Sequence, residues 1–371
     1  MANKPVKIKR NTSISGKKYH RKAAAKKILS ILFALAALLA LGFFGAPAVA
    51  EMINNIKERP QPVITEPPAE PTPTPGEIIE PTINPGDVET DIVVKTNICS
   101  YVDVKNLLSD TAIRQQASQL KEKGVTIAVV TLKNADGTIN YPSKTAIGSQ
   151  AVAKQTVDFK LVADIFAEND IALAANVYTF MDKTAPDIDR ETAVLYKGTD
   201  FKWLDTSKEF GGKPWANPAS GVMQQYLYDL VQEIKTEFGI KYFIFSGTHL
   251  PTGYSLEMRD FGVSDAALQA QLQGFISSMQ SKVAAFGGDA FFEFDLGAIN
   301  GGDVAKYIVA PQRLGAANIV VSGTAEDYLA ADIAQISRKL KEDFEVEKIA
   351  FRCTDGNLTD TVPDDDDYFV Q

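Results

Sequence analysis

The chain has 371 residues, of which 45% are hydrophobic, and a formal net charge of −9. This composition excludes a chain too polar to bury a core, and it permits one domain with appendages or two domains. The charge is unevenly spread, because residues 1–27 hold ten Lys or Arg and no acid, which leaves −19 for the remainder. The positive charge is therefore a feature of the N-terminal tail alone.

A hydrophobic segment follows the basic tail directly. Residues 28–44 contain no charge and no proline, and with the weaker extension to Ala50 the segment reaches 23 residues. A helix of that length crosses a hydrocarbon core of about 30 Å. Because positive flanks stay in the cytoplasm, we expect a single-pass anchor in a cell membrane, with residues 1–27 cytoplasmic, residues 28–50 in the membrane and the rest outside. Beside such an anchor, the tail is not expected to bind nucleic acid.

Cleavage of this segment is the alternative. Ala48-Val49-Ala50 has the small-x-small form that signal peptidase accepts, which would give a secreted protein cleaved after Ala50. The basic region and the apolar segment are both long for a signal peptide, and this favours the uncleaved anchor. Both interpretations export the C-terminal part of the chain.

A proline-rich stretch comes next. Between Arg59 and Asp87 lie nine of the eighteen prolines and almost no residues that could form a core. We interpret residues 51–90 as a disordered extracytoplasmic stalk. At about 3.1 Å per residue in the polyproline conformation, it would hold a domain up to about 90 Å from the bilayer. That reach suits a partner in the cell-wall layer.

The remainder, residues 91–371, alternates short β-branched runs with amphipathic stretches. The predicted strands are Ile92–Cys99, Val125–Leu132, Ile171–Tyr178, Lys241–Ser246, Ala290–Leu296, Asn318–Ser322 and Lys348–Cys353. The predicted helices are Val104–Lys123, Gln150–Glu168, Val222–Glu237, Ala266–Ala285 and Ala325–Asp343. Such alternation is typical of an α/β domain with a parallel sheet and helical crossovers.

Seven strands in about 280 residues favour a closed (β/α)8-type TIM barrel over an open doubly wound sheet, although the number of strands fits both. The C-terminal tail offers only the acidic run Asp364–Asp367 and the short Tyr368–Val370 as material for an eighth strand. We therefore expect an incomplete eighth strand and a solvated, disordered acidic run. In that case the strands ending in Cys99 and Cys353 lie close together. Two separate core thiols are the first interpretation and a disulfide is the alternative.

The sequence lacks the usual motifs of metal, phosphate and nucleophile chemistry. It contains no Gly-rich phosphate loop, zinc spacing, nucleophile elbow or kinase signature. Its two histidines are His20, in the tail, and His249. They cannot by themselves form a zinc site or a Ser-His-Asp triad, so we expect no metal and no cofactor.

Three segments resemble a known family. They are Val129–Gly137 leading to Tyr141-Pro142-Ser143, Trp203-Leu204-Asp205 leading to Gly212–Pro218, and Phe245–Pro251 after the fourth predicted strand. In order and spacing they cover roughly residues 92–322, and they resemble the glycoside hydrolase-like TIM-barrel family of membrane-anchored bacterial proteins. The resemblance implies a barrel built around a sugar site.

The sequence departs from the family's pattern at the expected catalytic acids. Where the family's second strand ends in Ile-Asp-Val-Lys-Asp, Thr131 and Asn134 replace the two acids. Where its fourth strand ends in Phe-Asp-Tyr-Val-Arg-Phe-Pro, Ser246 stands in the Asp position and His249 in the Arg position. Glycoside hydrolysis usually needs two carboxyl groups, and a serine cannot act as the carboxylate nucleophile or base. The resemblance thus implies a sugar site in which hydrolysis is weak or lost.

Two other acids are candidate catalytic residues. The period of two in Phe291–Leu296 places Glu293 and Asp295 on one face of a strand and apolar residues on the other. In a barrel wall the apolar face meets the helices, so both acids would project inward, with Asp295 near the C-terminal rim where barrel active sites lie. The alternative is a buried ion pair with Lys133 of the second strand.

The long loop after the third strand holds the only two tryptophans, Trp203 and Trp215. Their rings would suit the apolar faces of sugars, or they would plug one end of the barrel. Asp205 and Asn217 could bind hydroxyl groups, and Asp136 would be a rim carboxylate, although Asn217-Pro218 and Asp136-Gly137 are also ordinary turn signals. The candidate substrate-binding residues are Lys133, Asp136, Trp203, Asp205, Trp215, Asn217, Ser246 and His249.

The sequence therefore predicts a cell-surface, glycoside hydrolase-like barrel that binds cell-wall or extracellular glycan with little hydrolysis. One alternative is an active hydrolase that uses Asp295 or Glu293 with a second rim acid. Another is a non-catalytic scaffolding or protein-binding ectodomain, with a closed or filled rim and without exposed Trp203 or Trp215. The fold alone does not choose among them, because barrels host many unrelated activities.

Overall fold

The computed structural model of the protein describes residues 96–302, 304–358 and 362–370. The chain divides into two compact units, Met1–Val88 and Glu89–Gln371, and all described residues belong to the second. The tail, the membrane segment and the stalk lie outside the described residues and stay predictions. Within the part of the chain that is described, no helix has both the length and the apolar character needed to cross a membrane.

Eight parallel strands close into a barrel. They are β1 (Ile98–Val102), β2 (Ile127–Lys133), β3 (Ala172–Tyr178), β4 (Tyr242–Ser246), β5 (Asp289–Asp295), β6 (Asn318–Gly323), β7 (Lys348–Cys353) and β8 (Asp367–Phe369). Each strand pairs with its neighbours in chain order, and β8 pairs with both β7 and β1 to complete the circle. The predicted TIM barrel is confirmed.

Helices connect the strands on the outside. They are α1 (Asp110–Glu122), α2 (Phe159–Ala167), α3 (Ala185–Ile188), α4 (Gly221–Phe238), α5 (Asp265–Ala284), α6 (Leu296–Ile299), α7 (Ala325–Leu329) and α8 (Ile333–Phe344). The five longest begin after a Ser or Asp whose side chain accepts a backbone N–H of the first turn, namely Ser109, Asp158, Ser220, Ser264 and Asp332. These caps set the starts, because they satisfy donors that the helix itself leaves unpaired. The cap at Asp158 explains why α2 begins later than predicted. The cap at Asp332 starts a new helix, so the single helix predicted at Ala325–Asp343 is observed as two, α7 and α8.

The main core lies between the strands and the helices, where Phe292 and Phe294 of β5 pack outward. A second, smaller cluster fills the middle of the barrel. We call it the apolar layer, and its residues are Cys99, Val129, Ala174, Ile244, Phe291, Val320, Ala350 and Phe369. Because side chains alternate along a strand, the residues two positions later on each strand also face the interior, closer to the C-terminal rim.

The closing strand β8 has only three residues and is held by the acidic run. The Asp366 carboxylate is buried and pairs with Lys341 of α8 at 2.6 Å, and the Asp367 carboxylate accepts the backbone N–H of Asn97 at 2.8 Å. The expectation that the whole run is solvated is therefore wrong, although the eighth strand is short as expected. Since β8 lies between β1 and β7, Cys99 and Cys353 are not joined, and both are free, buried thiols. The disulfide alternative is wrong.

Candidate functional site

One step above the apolar layer, seven strands place a polar side chain inside the barrel. We call this the polar layer, and its residues are Tyr101, Thr131, Asn176, Ser246, Glu293, Ser322 and Arg352. Each lies two residues after its strand's member of the apolar layer. All are near the carboxyl ends of their strands, the end at which TIM-barrel active sites form. The alternation of inward and outward side chains that predicted the position of Glu293 therefore holds on seven of the eight barrel strands.

Hydrogen bonds join four members of the polar layer in strand order. Asn176 donates through Nδ2 to Thr131 Oγ1 at 3.2 Å. Ser246 donates to Asn176 Oδ1 at 2.8 Å, and its hydroxyl also contacts Glu293 Oε2. Ser246 is thus buried in the wall beside a carboxylate, at the position where the family pattern would place a second acid.

The other half of the polar layer is an ion pair packed on an aromatic ring. Arg352 donates through Nη1 to Glu293 Oε1 at 2.5 Å, and the Glu293 side chain is only 10% exposed. The Arg352 guanidinium lies 4.0 Å from the centre of the Tyr101 ring. Burial, and then the Glu293 charge, raise the pKa of Tyr101 well above its usual range, so its hydroxyl remains protonated. That hydroxyl is buried, and no hydrogen bond of normal geometry reaches it from a described residue.

Asp295 lies one step further out, at the rim. Its side chain is 46% exposed, forms an ion pair with Lys306, and accepts the Tyr307 hydroxyl at 3.0 Å. His249 packs beside Tyr307, with ring centres 6.0 Å apart. Burial lowers the pKa of His249, so the ring is neutral near pH 7. Its Nδ1 donates to the Leu250 carbonyl oxygen at 2.7 Å, which leaves Nε2 as an acceptor.

Lys133 lies apart from these acids. It is 1% exposed, pairs with the buried Asp182 at 2.8 Å, and donates to the Tyr178 carbonyl oxygen at 2.6 Å. The expected ion pair of Lys133 with Glu293 or Asp295 is not formed. The register of β2 against β3 shifts between Thr131 and Lys133, and this irregularity takes the lysine out of the simple alternation.

The loops after β3 and β4 form a small unit over the rim, tied by an antiparallel pair, Leu195–Tyr196 with Arg259–Asp260. Its core contains Trp203, which is fully buried, and Trp215, which is 3% exposed. Trp203 Nε1 donates to the Ser255 carbonyl oxygen at 3.2 Å. Both rings therefore fill the loop unit, as the packing alternative expected, and neither offers a face to a ligand.

The remaining candidates stabilise loops. Asp205 accepts Lys213 N–H at 2.8 Å and the Trp215 indole N–H at 3.3 Å. Partial burial opposes its ionisation, but these hydrogen bonds and the nearby Lys183 lower the pKa of Asp205. Asn217 Oδ1 accepts the Ala219 N–H at 2.9 Å, and Asp136 Oδ1 accepts the Thr138 N–H at 2.9 Å. Both are the contacts of ordinary turns.

A depression opens beside the ion pair because β8 is short. The pairing of β8 with β1 ends at Phe369, whereas β1 continues to Val102 and β7 to Cys353. The depression has a volume of about 310 Å³ and is lined by Tyr101, Arg352, Cys353, Thr354, Phe369 and Val370. Sequence reasoning missed Tyr101 and Arg352, although the period of two from Cys99 and from Ala350 would have placed both inside the barrel. Among the described residues, no cluster of His, Cys, Asp and Glu could hold a metal ion.

Two solved structures with TM-scores of at least 0.50 share this fold. The glycoside hydrolase domain of PgaB (BpsB) from Bordetella bronchiseptica is 10% identical with a TM-score of 0.53, and the match covers 74% of this chain and 94% of that one. A cycloisomaltooligosaccharide glucanotransferase from Paenibacillus sp. is 13% identical with a TM-score of 0.50, over 69% of this chain and 38% of that one. A hypothetical protein from Ruminiclostridium thermocellum is 18% identical with a TM-score of 0.45, over 57% and 100%. The chain spans less than half the length of several of the similar enzymes. At 10% and 13% identity, the matches to the Bordetella bronchiseptica and Paenibacillus sp. structures show the fold alone.

No curated protein sequence matches the chain. The family described as a putative glycosyl hydrolase domain does match, over residues 99–292, just over half of the 371 residues. The match runs from β1 into β5 and contains all three segments that carry the resemblance in the sequence. The chain therefore belongs to the family of putative glycosyl hydrolase domains.

Proposed function

We propose that this protein is a cell-surface barrel that binds a cell-wall or extracellular glycan at its C-terminal face and has little or no hydrolytic activity. The observation that carries the proposal is the polar layer above the apolar layer. A packed apolar interior fills the barrel below, and amide, hydroxyl, carboxylate and guanidinium groups follow it towards the carboxyl ends of the strands. Such a mixed set of donors and acceptors suits a ligand rich in hydroxyl groups.

The arrangement of the acids argues against efficient hydrolysis. In both glycosidase mechanisms two carboxyl groups flank the scissile bond. Glu293 and Asp295 stand one above the other on a single strand, with Cα atoms about 6.6 Å apart, so they approach a ligand from the same wall. Glu293 is held by Arg352 and Asp295 by Lys306, and Ser246 supplies no carboxyl on the adjacent strand. Asp136 and Asp205, the other acids predicted near the rim, accept hydrogen bonds within their own loops.

The cell-surface location rests on the sequence. The ten basic residues of the tail, the apolar segment at residues 28–50 and the proline-rich stalk support export and anchoring, with secretion after cleavage at Ala50 as the alternative. A stalk of that length would let the C-terminal face reach glycan in the wall layer.

A protein-binding ectodomain is the second candidate function, and one observation favours it. The loop unit over the rim exposes Phe201, Phe210 and Tyr254 at 75%, 81% and 70%, while both tryptophans are buried. Exposed aromatic side chains are frequent at protein interfaces as well as at sugar sites. Binding assays must therefore include the Phe210→Ala variant, whose loss of glycan binding would assign this surface to the glycan.

The test is binding and turnover of purified protein on wall glycan and a panel of polysaccharides. We expect saturable binding without release of reducing ends. Asp295→Asn and Glu293→Gln are compared with Asp343→Asn, an exposed acid on α8 that serves as the matched control. Release of reducing ends that is lost in Asp295→Asn alone would establish an active hydrolase with Asp295 as a catalytic residue. Absence of both binding and turnover on every glycan would refute the proposal and favour a protein partner.

A further inference from the structure

Arg352 is held in one orientation before any ligand arrives. It lies on β7, two residues after Ala350 of the apolar layer, and its side chain is 23% exposed. One edge of the guanidinium meets Glu293 at 2.5 Å, and its plane packs on the ring of Tyr101 at 4.0 Å. Tyr101 is in turn stacked on Phe369 of β8, with ring centres 5.3 Å apart. The two contacts restrain the guanidinium, so little rotamer freedom is left to lose on binding.

Most of the donors of Arg352 are unused. A guanidinium carries five N–H donors, and its one hydrogen bond to a described residue is the bond to Glu293. None of the other guanidinium nitrogens is among the buried, unpaired atoms of the described residues, so they are accessible to solvent at the depression. The hydroxyl of Tyr101, on the same wall, is buried without a partner of normal geometry. At the depression the site thus presents the unused N–H donors of Arg352 beside the Tyr101 ring.

Of the six residues that line the depression only Arg352 is charged. Glu293 offsets part of the charge of Arg352, but it does not line the depression. The nearest acid along the chain, Asp355, accepts the backbone N–H of Ala325 at 2.7 Å. Elsewhere the protein is acidic, with −19 outside the basic tail, so it does not attract polyanions in general. An anion that binds here must do so through the local geometry of the arginine.

We infer that the glycan carries a carboxylate, as uronic acids and acidic ether substituents do, and that Arg352 receives this carboxylate in the depression between β1 and β7. The inference rests on the proposed glycan-binding function. A carboxylate matches the fork of two parallel guanidinium N–H donors, whereas a sugar hydroxyl accepts from only one of them. The volume of about 310 Å³ is at the lower end of the usual range for ligand pockets, so the depression takes one substituted sugar of a chain rather than a whole oligomer.

The test uses the full-length protein and two probes, purified bacterial wall glycan and polygalacturonate, each before and after carbodiimide and borohydride reduction of its carboxylates to alcohols. We expect binding to the native form of at least one probe, and about 10-fold to 100-fold weaker binding once its carboxylates are reduced. Equal affinity for both forms would overturn the inference and leave the proposed function intact. If the protein binds neither probe in either form, both the carboxylate inference and the proposed glycan-binding function are refuted.

Matched variants assign the effect to the residue. Arg352→Gln is expected to bind the native glycan about as weakly as wild type binds the reduced glycan, while Arg338→Gln, an exposed arginine on α8, binds like wild type. Arg352→Gln leaves the Glu293 carboxylate without its ion-pair partner, which could destabilise the protein. The double variant Glu293→Gln/Arg352→Gln removes both charges of the pair and is therefore measured as well. If the double variant folds and still distinguishes native from reduced glycan, Arg352 is not the receptor of the carboxylate.

Discussion

Replacing Lys133 by methionine separates a structural role of this lysine from the substrate-binding role predicted for it. The Lys133 and Asp182 side chains are 1% and 0% exposed, and their charged atoms are 2.8 Å apart. Asp182 Oδ1 also accepts the backbone N–H groups of Thr184 and Ala185, so its carboxylate cannot turn towards solvent. Removing the ammonium leaves that carboxylate buried and uncompensated. We expect Lys133→Met to lower the free energy of unfolding by about 3–5 kcal/mol.

Urea denaturation of purified protein, followed by circular dichroism, measures this change. Lys144→Met is the control, because its ion pair with Glu237 is largely exposed and should contribute at most about 1 kcal/mol. The double variant Lys133→Met/Asp182→Asn removes both charges and keeps an acceptor for the loop, so it should recover much of the loss. A loss below about 1 kcal/mol in Lys133→Met, or no recovery in the double variant, would refute the reasoning. If a fully folded Lys133→Met protein binds glycan more weakly than wild type, the substrate-binding role predicted for Lys133 is supported instead.

Three further outcomes follow from the interior and from the closing strand. Ser246→Ala should lower the free energy of unfolding by about 1–3 kcal/mol in the same assay, because Asn176 and Glu293 each lose a contact in the buried polar layer. A loss below about 0.5 kcal/mol would contradict these hydrogen bonds. Burial raises the pKa of Asp366, so the stability this group contributes is fully present below its ordinary pKa and is lost as pH rises through the raised value. Unfolding measured from pH 4 to pH 7 should therefore show the stability of Asp366→Asn increasing relative to wild type as pH rises, and a constant difference would refute this. Burial also raises the pKa of the Cys99 thiol, so a thiol reagent should label it only when the protein unfolds, and rapid labelling of the native protein would contradict its burial. Because Cys99 and Cys353 are free thiols, a reductant should not change the melting temperature.

Much of the fold was predictable because most strands carry their own pattern. β2 to β7 lie within two residues of the predicted strands, since each is a short, mostly apolar run that is recognisable from its own residues. β1 was predicted at Ile92–Cys99 but extends from Ile98 to Val102, because its limits depend on where β2 and β8 pair with it. The role of the tryptophans also depended on the tertiary structure. A long loop with two large rings could bind a sugar or pack internally, and only the burial of Trp203 and Trp215 in the structure decides for packing.

The sequence by itself determined the order of strands and helices, the barrel class, and the inward face of Glu293 and Asp295, because these depend on local period. The tertiary structure alone decided which groups those acids meet. Glu293 pairs with Arg352, 59 residues away, and Lys133 with Asp182, because closure of the sheet and an irregularity in β2 bring them together. It also made Asp367–Phe369, a segment of only three residues, into the strand that closes the barrel. Pairing partners on both sides supply the backbone hydrogen bonds that so short a segment cannot obtain locally.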